Sequence, residues 1–425
     1  MSGAMLAVML VLFAASVPVA VAIGIAAVVG IQGYTNFPLI VVAQQLFVAL
    51  DRFPLAAIPF FILAGNLMEV GGISRRLVDF AKSIVGGIQG GLAATCVVTC
   101  MIFAAISGSS VATTFAIGAI MIPALVRAGY PVPFAAALQA TSAELGVVIP
   151  PSIPMILYGV TTQTSIPELF IAGFGPGLLI SGSLVATVLV WCRLKGWGKG
   201  DAEGRLPFLV AARQAGWALL MPVVVLGGIY GGITTPTEAS VIAVAYALVV
   251  GLLIHREIGL RDLYPIFRRS VVASAVILFI IACAALFSWL LNRQGVPDAA
   301  ATWLATSFDS PGLYLLAVNV CLFFVGMFVE TSASIIVLAP VLQEAAQRLG
   351  IDGVHFGTVM VVNLAMGMVT PPFGVNLFAA AQVAGTSIDR MMRYLPVFIG
   401  VIFACLMAIT YLPWIALALP QLVFR

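Results

Sequence analysis

Apolar residues fall into blocks along the chain, at 5–30, 38–50, 54–70, 92–106, 111–126, 134–149, 152–161, 169–192, 216–232, 236–254, 270–291, 312–329, 333–342, 356–370, 373–384 and 394–419. A helix needs about 20 mostly apolar residues to cross hydrocarbon, so the longer blocks predict crossings. Blocks of roughly 10–14 residues predict re-entrant or broken pieces instead. Such irregular backbone is tolerated at membrane depth only where protein or a water-filled cavity surrounds it. The pattern therefore predicts an all-α polytopic membrane protein, residues 1–425 forming one transmembrane unit.

Composition agrees: 62% of the 425 residues are hydrophobic and 8% charged, against roughly 25% charged in an average soluble domain. The net charge of +3 carries no nucleic-acid signal, because basic residues in such a chain set orientation. The six cysteines lie mostly inside apolar runs. Cys96 and Cys100 have helical spacing but no neighbouring His or carboxylate to complete a metal site, which favours small packing residues. The N-terminus lacks a basic leader region and cleavage site, so the first helix is expected to stay in place.

Arg193, Lys195, Lys199, Arg205 and Arg213 mark 193–214 as a cytoplasmic loop by the positive-inside rule. Arg256, Arg261, Arg268 and Arg269 form a second basic cluster two blocks later, which returns the chain to the same side. Arg75, Arg76 and Lys82 mark a third such turn. The segment Gly129 to Pro151, with Gly146-Val-Val-Ile-Pro150-Pro151, is matched 221 positions later by Gly350 to Pro372, with Gly367-Met-Val-Thr-Pro371-Pro372. Gly65-Asn-Leu-Met-Glu69 is echoed less regularly by Gly326-Met-Phe-Val-Glu330. Two diverged halves of one fold follow, at approximately 54–192 and 270–419, a common transporter plan.

The doubled prolines carry the chemistry. Proline offers no N–H and clashes with the carbonyl four residues back. The carbonyls of Gly146 and Val147, and of Gly367 and Met368, are thereby predicted to be freed. In hydrocarbon each costs several kcal/mol unless water, protein or a cation meets it. Hydroxyls accompany each break, Ser107-Gly108-Ser109-Ser110 in the first half and Thr331-Ser332-Ala333-Ser334 in the second. Oxygen-rich broken helices suit a hard cation; the alternative is simple kinks with small packing residues. Glu144 and Glu330 are ionisable within apolar surroundings, either as ion contacts or as cap and pairing groups. Thr235-Pro236-Thr237-Glu238 reads as a capping box with proline at the first helical position. Arg293, at the end of an apolar block, either snorkels or attracts an anion.

No phosphate-binding loop of the G-x-x-x-x-G-K-[ST] type is present, His255 and His355 stand alone, and Gly108-Ser109 lacks an evident partner base. Enzyme function is not expected. A channel or lipid-handling protein, using kinks only for packing, is the rival of a different class.

Gly65-Asn-Leu-Met-Glu69, Ile73-Ser-Arg-Arg-Leu77, Ile106-Ser-Gly-Ser-Ser110, Ile149-Pro-Pro-Ser-Ile-Pro-Met155, Thr235-Pro-Thr-Glu-Ala239, Val361-Val-Asn-Leu364 and Thr370-Pro-Pro-Phe-Gly-Val-Asn-Leu377 together resemble the large permease subunit of the tripartite ATP-independent periplasmic (TRAP) transporters. The resemblance implies two inverted repeats with re-entrant hairpins and broken helices, arranged as scaffold and transport domains of an elevator-type sodium symporter. The setting would be a bacterial inner membrane, with membrane lipids around the chain. It further implies a separate small four-helix membrane subunit and a periplasmic substrate-binding protein delivering a dicarboxylate, sialic acid or other sugar acid. A carrier of the same fold working alone is the closer alternative. At least two sodium ions and no organic cofactor are expected. The resemblance places one sodium at Ser107, Ser109, Gly146, Ile149 and Pro151, and the other at Thr331, Ser332, Gly367, Thr370 and Pro372. Arg293, Ser110, Ser334 and Asn376 are the candidate substrate-binding residues.

Overall fold

The computed structural model of the chain describes residues 2–15, 17–199, 205–308 and 310–424. All regular elements among the described residues are helical. They run α1 (Ser2–Ala14), α2 (Val19–Tyr34), α3 (Ile40–Leu50), a 3-10 turn (Phe53–Ala56), α4 (Ala57–Val70), α5 (Ile73–Val85), α6 (Gly91–Ser107), α7 (Ser110–Arg127), α8 (Val132–Ala143), α9 (Leu145–Val148), α10 (Ile153–Thr162), α11 (Ile166–Ala172) and α12 (Phe174–Lys195). There follow α13 (Phe208–Tyr230), α14 (Pro236–Leu248) with a π-helical extension (Val249–Ile254), α15 (Leu260–Arg293), α16 (Val296–Ser307), α17 (Pro311–Phe328), α18 (Thr331–Arg348), α19 (Gly353–Gly367), α20 (Val375–Ala384), α21 (Ile388–Met391), α22 (Leu395–Tyr411) and α23 (Trp414–Phe424). Among the described residues eight helical spans are long and apolar enough to cross a membrane, or nine if α22 and α23, bent by 53°, count as one.

Several boundaries differ from the hydrophobic blocks: α15 starts at Leu260 and α18 ends at Arg348, beyond blocks 270–291 and 333–342, and two further differences have plain local causes. The block 5–30 is two helices, because Pro18 stands just before α2 and brings no N–H to continue a ladder from α1. The polar segment 193–214 is shorter as a loop than expected: Arg193 and Lys195 close the last turn of α12, and Arg213 lies within α13. Residues 200–204 of that loop lie outside the described residues. At α14 local chemistry sets the start as read. Thr235 and Glu238 form the reciprocal capping box that starts α14, with Glu238 accepting from the Thr235 N–H at 2.8 Å.

Helices α2 and α3 pack on α15, α4 packs on α14 and α15, and α13 packs on α5 and α14. A second group comprises α6 to α12 with α17 to α23, in which α20 lies on α7 and α8 while α10 lies on α18 and α19. The C-terminal end of α4, α5 and the N-terminal end of α15 share one basic face, joined by Arg76–Glu257 at 2.6 Å and Arg269–Glu69 at 3.6 Å. At the opposite ends, the Thr237 hydroxyl donates to the Phe53 carbonyl at 3.3 Å, tying α14 to the turn before α4.

The element order recurs. A helix pair meeting at a tight tip (α6 and α7, then α17 and α18) precedes a helix interrupted at Pro-Pro (α8 and α9 with α10, then α19 with α20). A short and a long helix close each series (α11 and α12, then α21 and α22). Both Pro-Pro bonds, Pro150-Pro151 and Pro371-Pro372, are cis.

Candidate functional site

At the first break Gly108 adopts φ +62°, a left-handed conformation that glycine accepts without a Cβ penalty, and this ends α6 so that α7 can start at Ser110. The Ser109 hydroxyl caps α7 by accepting from the Ala112 N–H at 3.4 Å. The tip then lies on the broken helix. The Ile153 N–H reaches the Gly108 carbonyl at 3.5 Å, and a methyl on Gly108 would stand 2.7 Å from the Pro151 carbonyl oxygen. A methyl on Gly146 would stand 2.7 Å from the Ser109 carbonyl oxygen and 2.8 Å from Thr113 Oγ1. Ser107, Ser109, Gly146 and Pro151 are therefore brought together, and Ile149 adjoins them as the extended residue that ends α9. Thr113, not singled out in the sequence, joins them: its hydroxyl donates to the Ser109 carbonyl at 2.8 Å and lies 3.0 Å from Ser107 Oγ.

At the second break α17 approaches α19 through paired glycines. A methyl on Gly326 would stand 3.1 Å from Gly367 Cα and 3.3 Å from the Leu364 carbonyl oxygen. Glu330 caps α18, its carboxylate accepting from the Ser332 N–H at 2.8 Å, the Ser332 hydroxyl at 2.9 Å and the Ala333 N–H at 3.2 Å. This is the cap role among the two read for Glu330. Thr331 is fully buried, and its hydroxyl has no hydrogen-bond partner among the described residues. The Thr370 hydroxyl donates to the Met366 carbonyl at 2.7 Å. Pro372 follows in the turn that leads to α20.

The expectation of freed carbonyls needs correction. Ser152 Oγ donates to the Val147 carbonyl at 2.5 Å, the Thr370 N–H to that of Gly367 at 3.0 Å, and the Asn376 N–H to that of Met368 at 3.1 Å. Protein donors meet much of what the prolines leave behind, as a buried backbone requires. A carbonyl oxygen has a second lone pair, so each of these remains able to accept a cation.

Of the substrate candidates, Ser110 and Asn376 converge on Met368. The Ser110 hydroxyl points at its sulfur, 3.6 Å away. The Asn376 side chain is fully buried, with neither amide atom hydrogen-bonded among the described residues. Ser334 donates instead to the Glu330 carbonyl at 3.1 Å and lines an apolar cavity of about 430 Å³ with Phe324 and Phe328. Arg293 is not brought to this group. It sits at the end of α15 with its guanidinium 5.6 Å from the Trp289 ring centroid, in keeping with a snorkelling side chain. Glu144, 1% exposed between α8 and α9, has no hydrogen-bond partner for either carboxylate oxygen among the described residues.

These features, a helical membrane bundle with two tips seated on two broken helices, define a membrane transporter. A solved transporter, YdaH of Alcanivorax borkumensis, shares the fold, with a TM-score of 0.64 over 89% of this chain and 88% of that one at 15% identity. The family model for the tripartite ATP-independent periplasmic transporter, DctM component, matches residues 6–415, and the chain belongs to that family. It is 41% identical to the C4-dicarboxylate TRAP transporter large permease protein DctM of Pseudomonas aeruginosa over 89% of each chain. It is 42% identical to the isethionate TRAP transporter permease protein DctMQ of Oleidesulfovibrio alaskensis over 93% of this chain, spanning 63% of that relative's length.

Proposed function

We propose that this large permease subunit is a sodium-coupled carrier that imports small organic anions by an elevator mechanism. The observation that carries the reading is the set of buried oxygens at each break: the Ser109 carbonyl and Thr113 Oγ1 on Gly146 at the first, and at the second the buried Thr331 hydroxyl, unpaired among the described residues, at the start of α18, whose partner helix α17 meets Gly367 through Gly326. A hard cation takes several oxygen ligands, which unwound backbone and hydroxyls supply. One sodium is assigned to Ser107, Ser109, Gly146, Ile149 and Pro151, and a second to Thr331, Ser332, Gly367, Thr370 and Pro372. Ser110 and Asn376, between the two, are assigned to the anion.

The recurring element order supports two inverted repeats, and the two packing groups support a fixed frame (α1 to α4 and α13 to α15) against a moving body (α6 to α12 and α17 to α23). The names of the relatives support carboxylates or sulfonates as substrates, and the family match supports partnership with a small membrane subunit. A periplasmic binding protein completes the system, and the basic face marks the cytoplasmic side of a bacterial inner membrane. Two sodium ions moving with a monovalent anion carry one net charge, worth about 2.3 kcal/mol per 100 mV.

Ser109→Leu and Thr331→Leu, each filling one oxygen cluster with hydrocarbon, are expected to abolish sodium-dependent uptake into proteoliposomes charged with succinate-loaded or isethionate-loaded binding protein. Unchanged uptake in either variant removes that sodium site.

A further inference from the structure

Away from the two breaks, two adjoining cavities of about 260 and 530 Å³ follow the seam between the fixed frame and the moving body, at the ends opposite the basic face. Arg52, Gln163 and Val160 line both. Arg52 belongs to the connection between α3 and the 3-10 turn, and its backbone is clamped. The Leu55 N–H bonds to the Arg52 carbonyl at 2.9 Å, and the neighbouring Phe53 carbonyl is held by Thr237 of α14. Leu55, 2% exposed, anchors the turn beneath it. Gln163 approaches from the moving body. It ends α10 in a left-handed conformation, φ +61° and ψ +25°, which a residue with a Cβ seldom adopts.

The chemistry of the walls has one sign. Among the described residues lining the two cavities, Arg52 bears the charge and none is an Asp or Glu. Of the other polar groups, Gln45 and Asn292 are uncharged amides with N–H donors, whereas the hydroxyls of Thr161 and Thr237 already donate to the Leu157 and Phe53 carbonyls and that of Thr235 to Glu238. Asp51 precedes Arg52 in the chain but does not line either cavity. Arg348 is engaged differently, by Glu344 at 2.6 Å. A guanidinium facing a crevice with amide donors and no lining carboxylate, the nearby Glu238 being taken up by its own capping box, suits a planar oxyanion, which it can bind in a bidentate fork.

We propose that Arg52 of the fixed frame and Gln163 of the moving body form an entry site for the carboxylate or sulfonate group of the substrate, at the seam rather than at the helix breaks. The inference rests on the carrier reading above and adds the place where the anion first meets the subunit. Because one donor belongs to each body, movement of α10 separates the pair, so the site holds the anion only on the side from which it arrives.

The test uses the full chain in nanodiscs, with succinate, isethionate and inorganic sulfate as probes and thermal unfolding as readout. At least one probe is expected to raise the midpoint saturably. Arg52→Gln should weaken the half-saturating concentration roughly ten- to a hundred-fold, the range for losing a hydrogen bond to a charged partner. Arg52→Lys, a point charge without the fork, should retain part of the response. Gln163→Ala should lose less than Arg52→Gln. Equal half-saturation for wild type and Arg52→Gln, or no response of wild type to any probe, overturns the entry site. Sodium stabilisation is read on the same samples and is expected to be unchanged by Arg52→Gln. Its absence from wild type counts against sodium coupling, a result distinct from either anion outcome.

Discussion

A single methyl group probes the second break. In Gly367→Ala the added carbon would stand 2.5 Å from Gly326 Cα and 2.7 Å from the Gly326 carbonyl oxygen, and no rotamer change relieves contact with backbone. α17 must back away from α19, and overpacking of this kind costs about 1–3 kcal/mol. Gly400→Ala, on α22, meets nothing within 4 Å and gains helix propensity of up to about 1 kcal/mol. Thermal unfolding should therefore drop for the first variant and hold or rise for the second, with sodium-dependent uptake lost only in the first. Indistinguishable midpoints would remove the close glycine contact as a structural requirement. The proline rule singles out Gly146 and Gly367 for their carbonyls, whereas the structure distinguishes them by close backbone contact, which that rule does not foresee. Thr113, Ser152 and Arg52 were not legible, because their roles depend on which backbone or cavity the fold brings opposite them, and a hydroxyl or guanidinium carries no sign of that in one dimension.

At the scale of elements, Glu330 decides how the second tip is built. Its carboxylate satisfies two backbone N–H groups that the first turn of α18 cannot pair internally, and its negative charge sits at the positive end of the helix dipole. Glu330→Ala leaves those donors without an acceptor in a buried tip, at about 1–3 kcal/mol. The half-saturating sodium concentration should rise with the loss of order beside Thr331 and Ser332. Glu330→Gln keeps an acceptor oxygen and should fall between wild type and Glu330→Ala in both unfolding midpoint and sodium dependence. The reverse order would show that charge, not capping, is what the position supplies. Helices as such were readable because block length and Pro-Pro punctuation are one-dimensional signals, and the paired tips fell where hydroxyls interrupt apolar runs. The division of α1 from α2 was not readable, since hydrophobicity runs unbroken across Pro18. The repair of the freed carbonyls also escaped, because Ser152 and the Asn376 N–H find them only once the turn has closed.

For the whole molecule, an elevator differs from a rigid bundle in having a seam between a frame and a moving body, and one pair of residues spans the proposed seam closely enough to be locked. A Cβ on Gly65 of α4 would stand 3.9 Å from Ser107 Cβ at the tip of α6, within the roughly 3.5–4.5 Å that a disulfide requires. The nearest atom to that new carbon is Ser107 Cα at 3.5 Å, an ordinary contact, so the substitution itself fits. A second bond can be made inside the frame with one change: Gly24→Cys on α2 would place its Cβ 3.7 Å from Cβ of the native Cys283 on α15. Because Ser107 is also assigned to the first sodium site, the reference is the reduced double variant at saturating sodium: if α6 moves past α4 while α2 and α15 stay together, oxidation of the Gly65→Cys, Ser107→Cys pair arrests the uptake that variant retains and reduction restores it. Oxidation of Gly24→Cys leaves uptake unchanged, because that bond joins two helices with no relative motion. Uptake that survives a verified disulfide between the two cysteines introduced on α4 and α6 would place both helices in one body and move the seam elsewhere.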